Sequence, residues 1–180
     1  MAEIEKFSVN GETYSLMISR DEIQRRVVEL ASTLREELKD EIPVFLGVLN
    51  GAYVFTSDLS RAYDGLCQVS FIRLSSYQGM QSSGNVSMVM GLKENIKGRS
   101  VVVVEDIIDS GLTMSKLIDY LKSLQPKQVK VVALFTKPEN LKCDVQIDHF
   151  CFEIPNKFIV GYGLDYNELF RNLPAIYTKE

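Results

Sequence analysis

No stretch of this 180-residue chain approaches the roughly 20 consecutive apolar residues that a bilayer-spanning helix needs, so no helical membrane span is expected. The opening MAEIEKFSVNGE is acidic and polar, the opposite of a signal peptide. Cysteine is scarce. Cys67, Cys143 and Cys151 form no CxxC pair, and their odd number argues against a disulfide framework, which makes a reducing, cytoplasmic setting the expectation. Basic charge is short as well: 20 Lys and Arg against 24 Asp and Glu leave a net charge of −4, the wrong sign for a nucleic-acid footprint. Internal repeats, low-complexity tracts and interdomain linkers are absent. The single histidine, His149, reads as structural rather than catalytic.

What is present suits one soluble domain. The length allows a sizeable core but not two ordinary domains, and 46% apolar with 24% charged residues is a globular composition. The most informative stretch is VVVVEDIIDSGLTMSK, from Val101 to Lys116. Four consecutive Val predict a strand buried on both faces, as inside a parallel sheet. Glu105 and Asp106 follow where that strand should be ending. A third carboxylate, Asp109, opens the turn Ser110-Gly111-Leu112-Thr113, and Met114, Leu117, Ile118, Leu121 and Leu124 then recur at helical spacing.

The remaining chain alternates in the same way. Ser19 and Glu22 form a capping-box pattern ahead of a helix whose apolar stripe (Ile23, Val27, Leu30, Ala31, Leu34, Leu38) runs to about Lys39. A buried strand is predicted over Ile42 to Leu49, a helix from Tyr53 to Tyr63 and a strand from Cys67 to Leu74. The polar segment from Ser75 to Ser87 reads as a functional loop. Alternating Val86, Met88 and Met90 suggest a returning strand. Gln128 to Phe135 and Val145 to Phe152 read as further strands, and Phe158 to Gly163 as a last short one. Strands alternating with helices imply right-handed crossovers and a mostly parallel, twisted α/β sheet flanked by helices. The core is expected over about 20–153, and the terminal segments, about 1–18 and 154–180, as a small hood packed over the sheet.

In open α/β sheets ligands bind at the carboxyl ends of strands, which points to residues 105–113. The backbone N–H groups of the Asp109–Thr113 turn, at a helix N-terminus, form an anion site, with hydroxyls from Ser110 and Thr113. The loop is not a Walker A motif, since its Lys and glycine spacing are missing. Glu105 and Asp106 would repel a bare phosphate but suit a ribose diol, or Mg²⁺. Together the two halves ask for a ribose 5-phosphate. The plainer alternative is an acidic strand end, as in receiver-like signalling domains, with Asp109 capping the helix.

This stretch closely resembles the phosphoribosyl diphosphate (PRPP) binding motif of type I phosphoribosyltransferases. Phe45 to Leu59, Ser76-Tyr77, Lys137 and EIPNKFIVGYGLDYNELFRNLP from Glu153 to Pro174 resemble the matching pieces of hypoxanthine (hypoxanthine-guanine) phosphoribosyltransferases. The resemblance implies the type I phosphoribosyltransferase fold and the residue roles. Glu105 and Asp106 would contact the ribose hydroxyls, and Asp109, Ser110, Gly111, Leu112 and Thr113 would cradle the 5-phosphate. Asp109 would also take the proton of purine N7. Lys137 would donate to the purine 6-oxygen, Phe158 would stack on the ring and the Ile159 backbone would meet its edge. Asp165 would hold a Mg²⁺ bound to pyrophosphate, Glu105 and Asp106 being the other candidate metal ligands, and Arg171 would reach the same pyrophosphate. Ser76 and Tyr77 would close a mobile lid over about 75–87. Asn50-Gly51 would offer backbone N–H groups to pyrophosphate, a turn often built with a non-proline cis peptide. Many relatives carry Lys in place of Asn50 and of Ser75, so this chain has less positive charge there.

The implied reaction is purine salvage: hypoxanthine, and guanine, plus PRPP giving IMP or GMP and pyrophosphate with Mg²⁺, in a homodimer or homotetramer. A PRPP-sensing, nucleic-acid-binding regulator on the same fold is the main alternative. The acidic balance, Lys137, Phe158 and Asp165 all speak against it.

Overall fold

The computed structural model describes residues 3–76, 86–92 and 94–180. Strands β1 (Lys6–Val9) and β2 (Glu12–Ile18) form a hairpin through Asn10-Gly11. Helix α1 (Arg20–Glu37) starts where the Ser19 side chain accepts the Glu22 N–H at 3.2 Å, and it buries Ile23, Val27, Leu30, Ala31 and Leu34. Strand β3 (Val44–Leu49), helix α2 (Tyr53–Ala62), strand β4 (Gln68–Ser76) and strand β5 (Val86–Met90) follow. Next come β6 (Ser100–Ile108), α3 (Leu112–Ser123), β7 (Gln128–Thr136) and β8 (His149–Glu153). Two short strands, β9 (Ile159–Val160) and β10 (Ile176–Lys179), complete the chain.

The core sheet has the order β5-β4-β3-β6-β7-β8, parallel except for β5 at one edge. Val101 to Val104 are all fully buried, as a strand covered on both faces must be. Val102 and Val104 face α1 and α2 with Phe45, Phe55 and Leu134, whereas Val101 and Val103 face α3 with Met114, Leu117 and Leu121. A second, antiparallel sheet of order β1-β2-β10-β9 joins the two ends of the chain as a hood. Its own cluster holds Tyr14, Val160, Leu173, Ala175 and Tyr177, with Phe7 stacked on Tyr14 at 5.2 Å between centroids.

Several expectations shift. β6 does not end at Glu105 but runs to Ile108. Its pairing with β3 stops at Gly47–Val104, and beyond that point it is held only by β7, so a slot opens between β3 and β6. The segment expected as a strand from Val145 to Phe152 enters the sheet only at His149. Val145 and Ile147 pack instead onto the α3 side, and the Asp148 carboxylate accepts the Val131 N–H at 2.7 Å. β3 starts at Val44 because Pro43 has no N–H to give a ladder. The loop expected from Ser75 to Ser87 is shorter at both ends, because Ser75 and Ser76 pair with Ser87 and Val86. Tyr77, with 77–85, lies outside the described residues.

Candidate active site

The chain leaves β3 to build β4 on one side and β6 to build β7 and β8 on the other, so the ends of β3 and β6 form a switch point where ligands are expected. A cavity of about 410 Å³ opens there. The β3 end contributes Asn50 and Gly51, β6 contributes Glu105 and Asp106, and the turn after it contributes Asp109. Lys137 enters from the end of β7, while the hood supplies Phe158, Ile159, Asp165 and Arg171. A smaller hollow of about 120 Å³ adjoins it through Glu105 and Asp109 and is lined by Ser110, Gly111 and Thr113. A larger hollow of about 490 Å³ beside α3, between Ser115, Lys122 and Asp144, contains none of the candidate site residues.

The half of the site around Gly111 is built on backbone. Gly111, at φ 76°, occupies the N-cap of α3, a left-handed conformation that a side chain disfavours. No side chain caps this end, so its first N–H groups are free to meet a ligand.

The carboxylate pair is held by its own backbone: the Asp106 N–H donates to Glu105 Oε1 at 3.3 Å and the Ile107 N–H to Asp106 Oδ1 at 2.8 Å. Burial pushes the Glu105 carboxyl well above its ordinary range, and the neighbouring Asp106 charge adds to this. Burial raises Asp106 too, against hydrogen bonding that holds it down. Such a pair is suited to an incoming hydroxyl or cation. Gly51 lies flat against it, since a Cβ there would fall 1.5 Å from Asp106 Oδ2. A Cβ on Gly163 would in turn fall 2.2 Å from the Gly51 carbonyl oxygen, so hood, turn and carboxylate are in direct contact. The peptide joining Leu49 to Asn50 is cis.

The other half is side chain. Lys137 is only 8% exposed, yet its ammonium makes no hydrogen bond or ion pair among the described residues. It therefore faces the cavity as a donor without an acceptor. Phe158 is 47% exposed in the same cavity, its ring edge-to-face with Tyr166 at 5.5 Å and 82°. Asp165 and Arg171 form an ion pair at 2.8 Å, and Arg171 also donates to the Gly163 carbonyl at 2.9 Å.

Two predicted residues stand apart. Leu112 is exposed and lines neither hollow, and Ser76 ends β4. Three others were not singled out by sequence reasoning. Lys157 lines the cavity beside Phe158, Tyr166 braces that ring, and Asn140 donates to Asp109 Oδ1 at 2.7 Å. Lys157 and Tyr166 lie within the quoted C-terminal motif. Asn140 follows the Lys137-Pro138 pair, and Pro at the start of the 3₁₀ turn Pro138–Asn140 was its available signal.

A family model described as "Phosphoribosyl transferase domain" matches residues 19–167. A hypoxanthine-guanine phosphoribosyltransferase from Aquifex aeolicus is 42% identical over 174 residues, covering 96% of this chain and 98% of the relative. The chain belongs to the hypoxanthine-guanine phosphoribosyltransferase family. A crystal structure of a hypoxanthine-guanine phosphoribosyltransferase from Bacillus anthracis superposes with a TM-score of 0.87 at 39% identity, covering 92% of this chain and 96% of that one. The hypoxanthine phosphoribosyltransferase of Trypanosoma cruzi, solved with its product IMP, gives 0.85 at 34% identity, covering 91% and 92%. Membership makes this chain a transferase of the glycosyltransferase class acting in purine salvage, on the type I phosphoribosyltransferase fold. No helix among the described residues is long and apolar enough to cross a membrane.

Proposed function

We propose that this cavity joins hypoxanthine, and guanine, to the ribose of PRPP, giving IMP or GMP and pyrophosphate with Mg²⁺ bound. The observation that carries the proposal is Lys137, a lysine with a buried stem whose ammonium reaches the cavity with no protein partner among the described residues and wants an acceptor such as a purine 6-oxygen. An amino group at that position would leave it unsatisfied. The IMP held by the Trypanosoma cruzi relative supports the same chemistry.

In this reading the exposed Phe158 face stacks on the purine and the Ile159 backbone meets its edge. Glu105 and Asp106 accept from the ribose 2- and 3-hydroxyls, and the N–H groups and hydroxyls of residues 109–113 hold the 5-phosphate. Asn50-Gly51 and Arg171 meet the pyrophosphate. Purine N9 bonds to C1 of the sugar as the C1–O bond to pyrophosphate breaks, the electron pair leaving with pyrophosphate. The N7 proton passes to Asp109. A carboxylate suffices as base because N7–H becomes more acidic as the N9 bond forms.

Among the described residues no cluster of three His, Cys, Asp or Glu could hold a metal alone. Mg²⁺ commonly binds one or two carboxylates and completes its shell with water and phosphate oxygens, and Glu105, Asp106 and Asp165 fit that pattern. When bound it offsets charge on the departing pyrophosphate. A reducing cytoplasm, suited to the three free thiols, and assembly as a homodimer or homotetramer complete the proposal.

Purified protein given PRPP, Mg²⁺ and hypoxanthine is expected to release pyrophosphate. No release would refute the reading. Asp109→Asn is expected to lower kcat by about 10²- to 10⁴-fold with little change in KM. Rates with hypoxanthine, guanine and xanthine side by side would rank the bases.

A further inference from the structure

Asp109 lies in an exposed turn, where a carboxylate ordinarily rotates freely, and three contacts with one neighbouring segment restrain it. The Lys137 N–H donates to the Ile108 carbonyl at 3.1 Å and the Lys142 N–H to the Ser110 carbonyl at 3.0 Å. Between these two backbone bonds, Asn140 Nδ2 donates to Asp109 Oδ1 at 2.7 Å. The Asn140 backbone is itself fixed, its N–H donating to the Lys137 carbonyl at 3.0 Å to close the 3₁₀ turn. The donor therefore approaches from a rigid three-residue turn, buttressed on both sides, and not from a flexible loop.

We infer that Asn140 is a positioning residue: it occupies Oδ1 of Asp109 and presents Oδ2 to the purine N7 proton. The inference rests on the proposed role of Asp109 as base. Its geometry explains how one turn serves two needs. Lys137 begins the turn and reaches the purine 6-oxygen, and Asn140 ends it and orients the carboxylate at N7. The 6-oxygen and N7 lie on the same edge of a purine, so donor and acceptor must keep a fixed separation. The turn sets that separation through three residues of backbone. Proton transfer needs the acceptor within hydrogen-bond reach of its proton, and misplacement by about 1 Å can cost on the order of 100-fold in rate.

The test uses Asn140→Ala and the isosteric Asn140→Asp, each alone and combined with Asp109→Asn, in full-length protein with hypoxanthine and PRPP. Each single Asn140 variant is expected to lower kcat about 10- to 100-fold, with both KM values within about twofold and the melting temperature unchanged. In the Asp109→Asn background the same changes should have almost no further effect, because no base remains to be oriented. Asn140→Gln, which keeps the donor, should recover part of the rate. Wild-type kcat in Asn140→Ala or Asn140→Asp would overturn the inference while leaving the base assignment intact if Asp109→Asn alone is slow. An undiminished Asn140 effect in the Asp109→Asn background would overturn it too. Wild-type turnover in Asp109→Asn alone would remove the base and the inference with it.

Discussion

Lys137 and Gly51 show how single positions are constrained by what the site must leave unfilled. Lys137 is 8% exposed, its stem packed and its ammonium turned to the cavity with no partner among the described residues, which suits a ligand acceptor. Lys137→Met should keep the stem's packing and remove the charge. Its melting temperature is expected to equal or exceed that of the wild type, while kcat/KM for hypoxanthine falls on the order of 100-fold, matching about 2–3 kcal/mol for a lost hydrogen bond from a charged donor. A stable variant with unaltered kcat/KM would refute the contact. Gly51 has the opposite constraint. A methyl group would overlap the Asp106 carboxylate, so Gly51→Ala should destabilise by about 1–3 kcal/mol in chemical denaturation and abolish most activity.

At the level of elements, the sequence was most legible where pattern and pairing are local. Val101 to Val104, the following carboxylates and the turn into α3 lie within one stretch, and their strand, helix and anion-binding turn could be read from it. β8 could not be bounded that way, since Val145 and Ile147 are as apolar as the residues after them. Only the tertiary contact with α3 decides that they leave the ladder. The Asn140–Asp109 bond was hidden for a related reason, as it links two turns 31 residues apart. The bottom of the sheet gives a test of element coupling. Glu41, before β3, accepts from Ser100 at the start of β6 and from Lys127 before β7, the latter at 2.7 Å. The Lys127 and Ser100 hydrogen bonds hold the Glu41 carboxyl below its ordinary 4.5. A carboxyl more acidic when folded contributes stability above its unfolded pKa, and that contribution is lost as pH falls through the folded one. Melting curves should therefore show wild type above Glu41→Gln near neutral pH, with the gap closing below about pH 4.5. A gap independent of pH would refute this.

For the whole molecule, the hood is the part that local patterns conceal. Its middle strands, β2 and β10, come from opposite ends of the chain, with Tyr14 paired to Lys179, so nothing near residue 14 announces its partner. The Asn10-Gly11 turn between alternating residues was the one available cue. Phe158, Ile159, Asp165 and Arg171 all belong to the chain between β8 and β10, which makes the cavity dependent on that closure. Tyr177, fully buried in the hood cluster, should report it. Tyr177→Ala is expected to cost about 3–5 kcal/mol and to raise KM for both the purine base and PRPP, since the hood carries Phe158 and Ile159 as well as Asp165 and Arg171, read from denaturation and initial rates. An unchanged KM for the base in the destabilised variant would argue against a hood-borne purine site.

The contact of Gly163 on Gly51, and of Gly51 on the Asp106 carboxylate, makes a single peptide the spacer between hood and carboxylate. Side chains change rotamer on fast timescales and widen or narrow the gaps they fill, whereas a peptide plane keeps its thickness. The gauge between hood and carboxylate is therefore the thickness of one peptide in van der Waals contact on both sides. Warming the molecule can loosen its surface long before it alters that spacing.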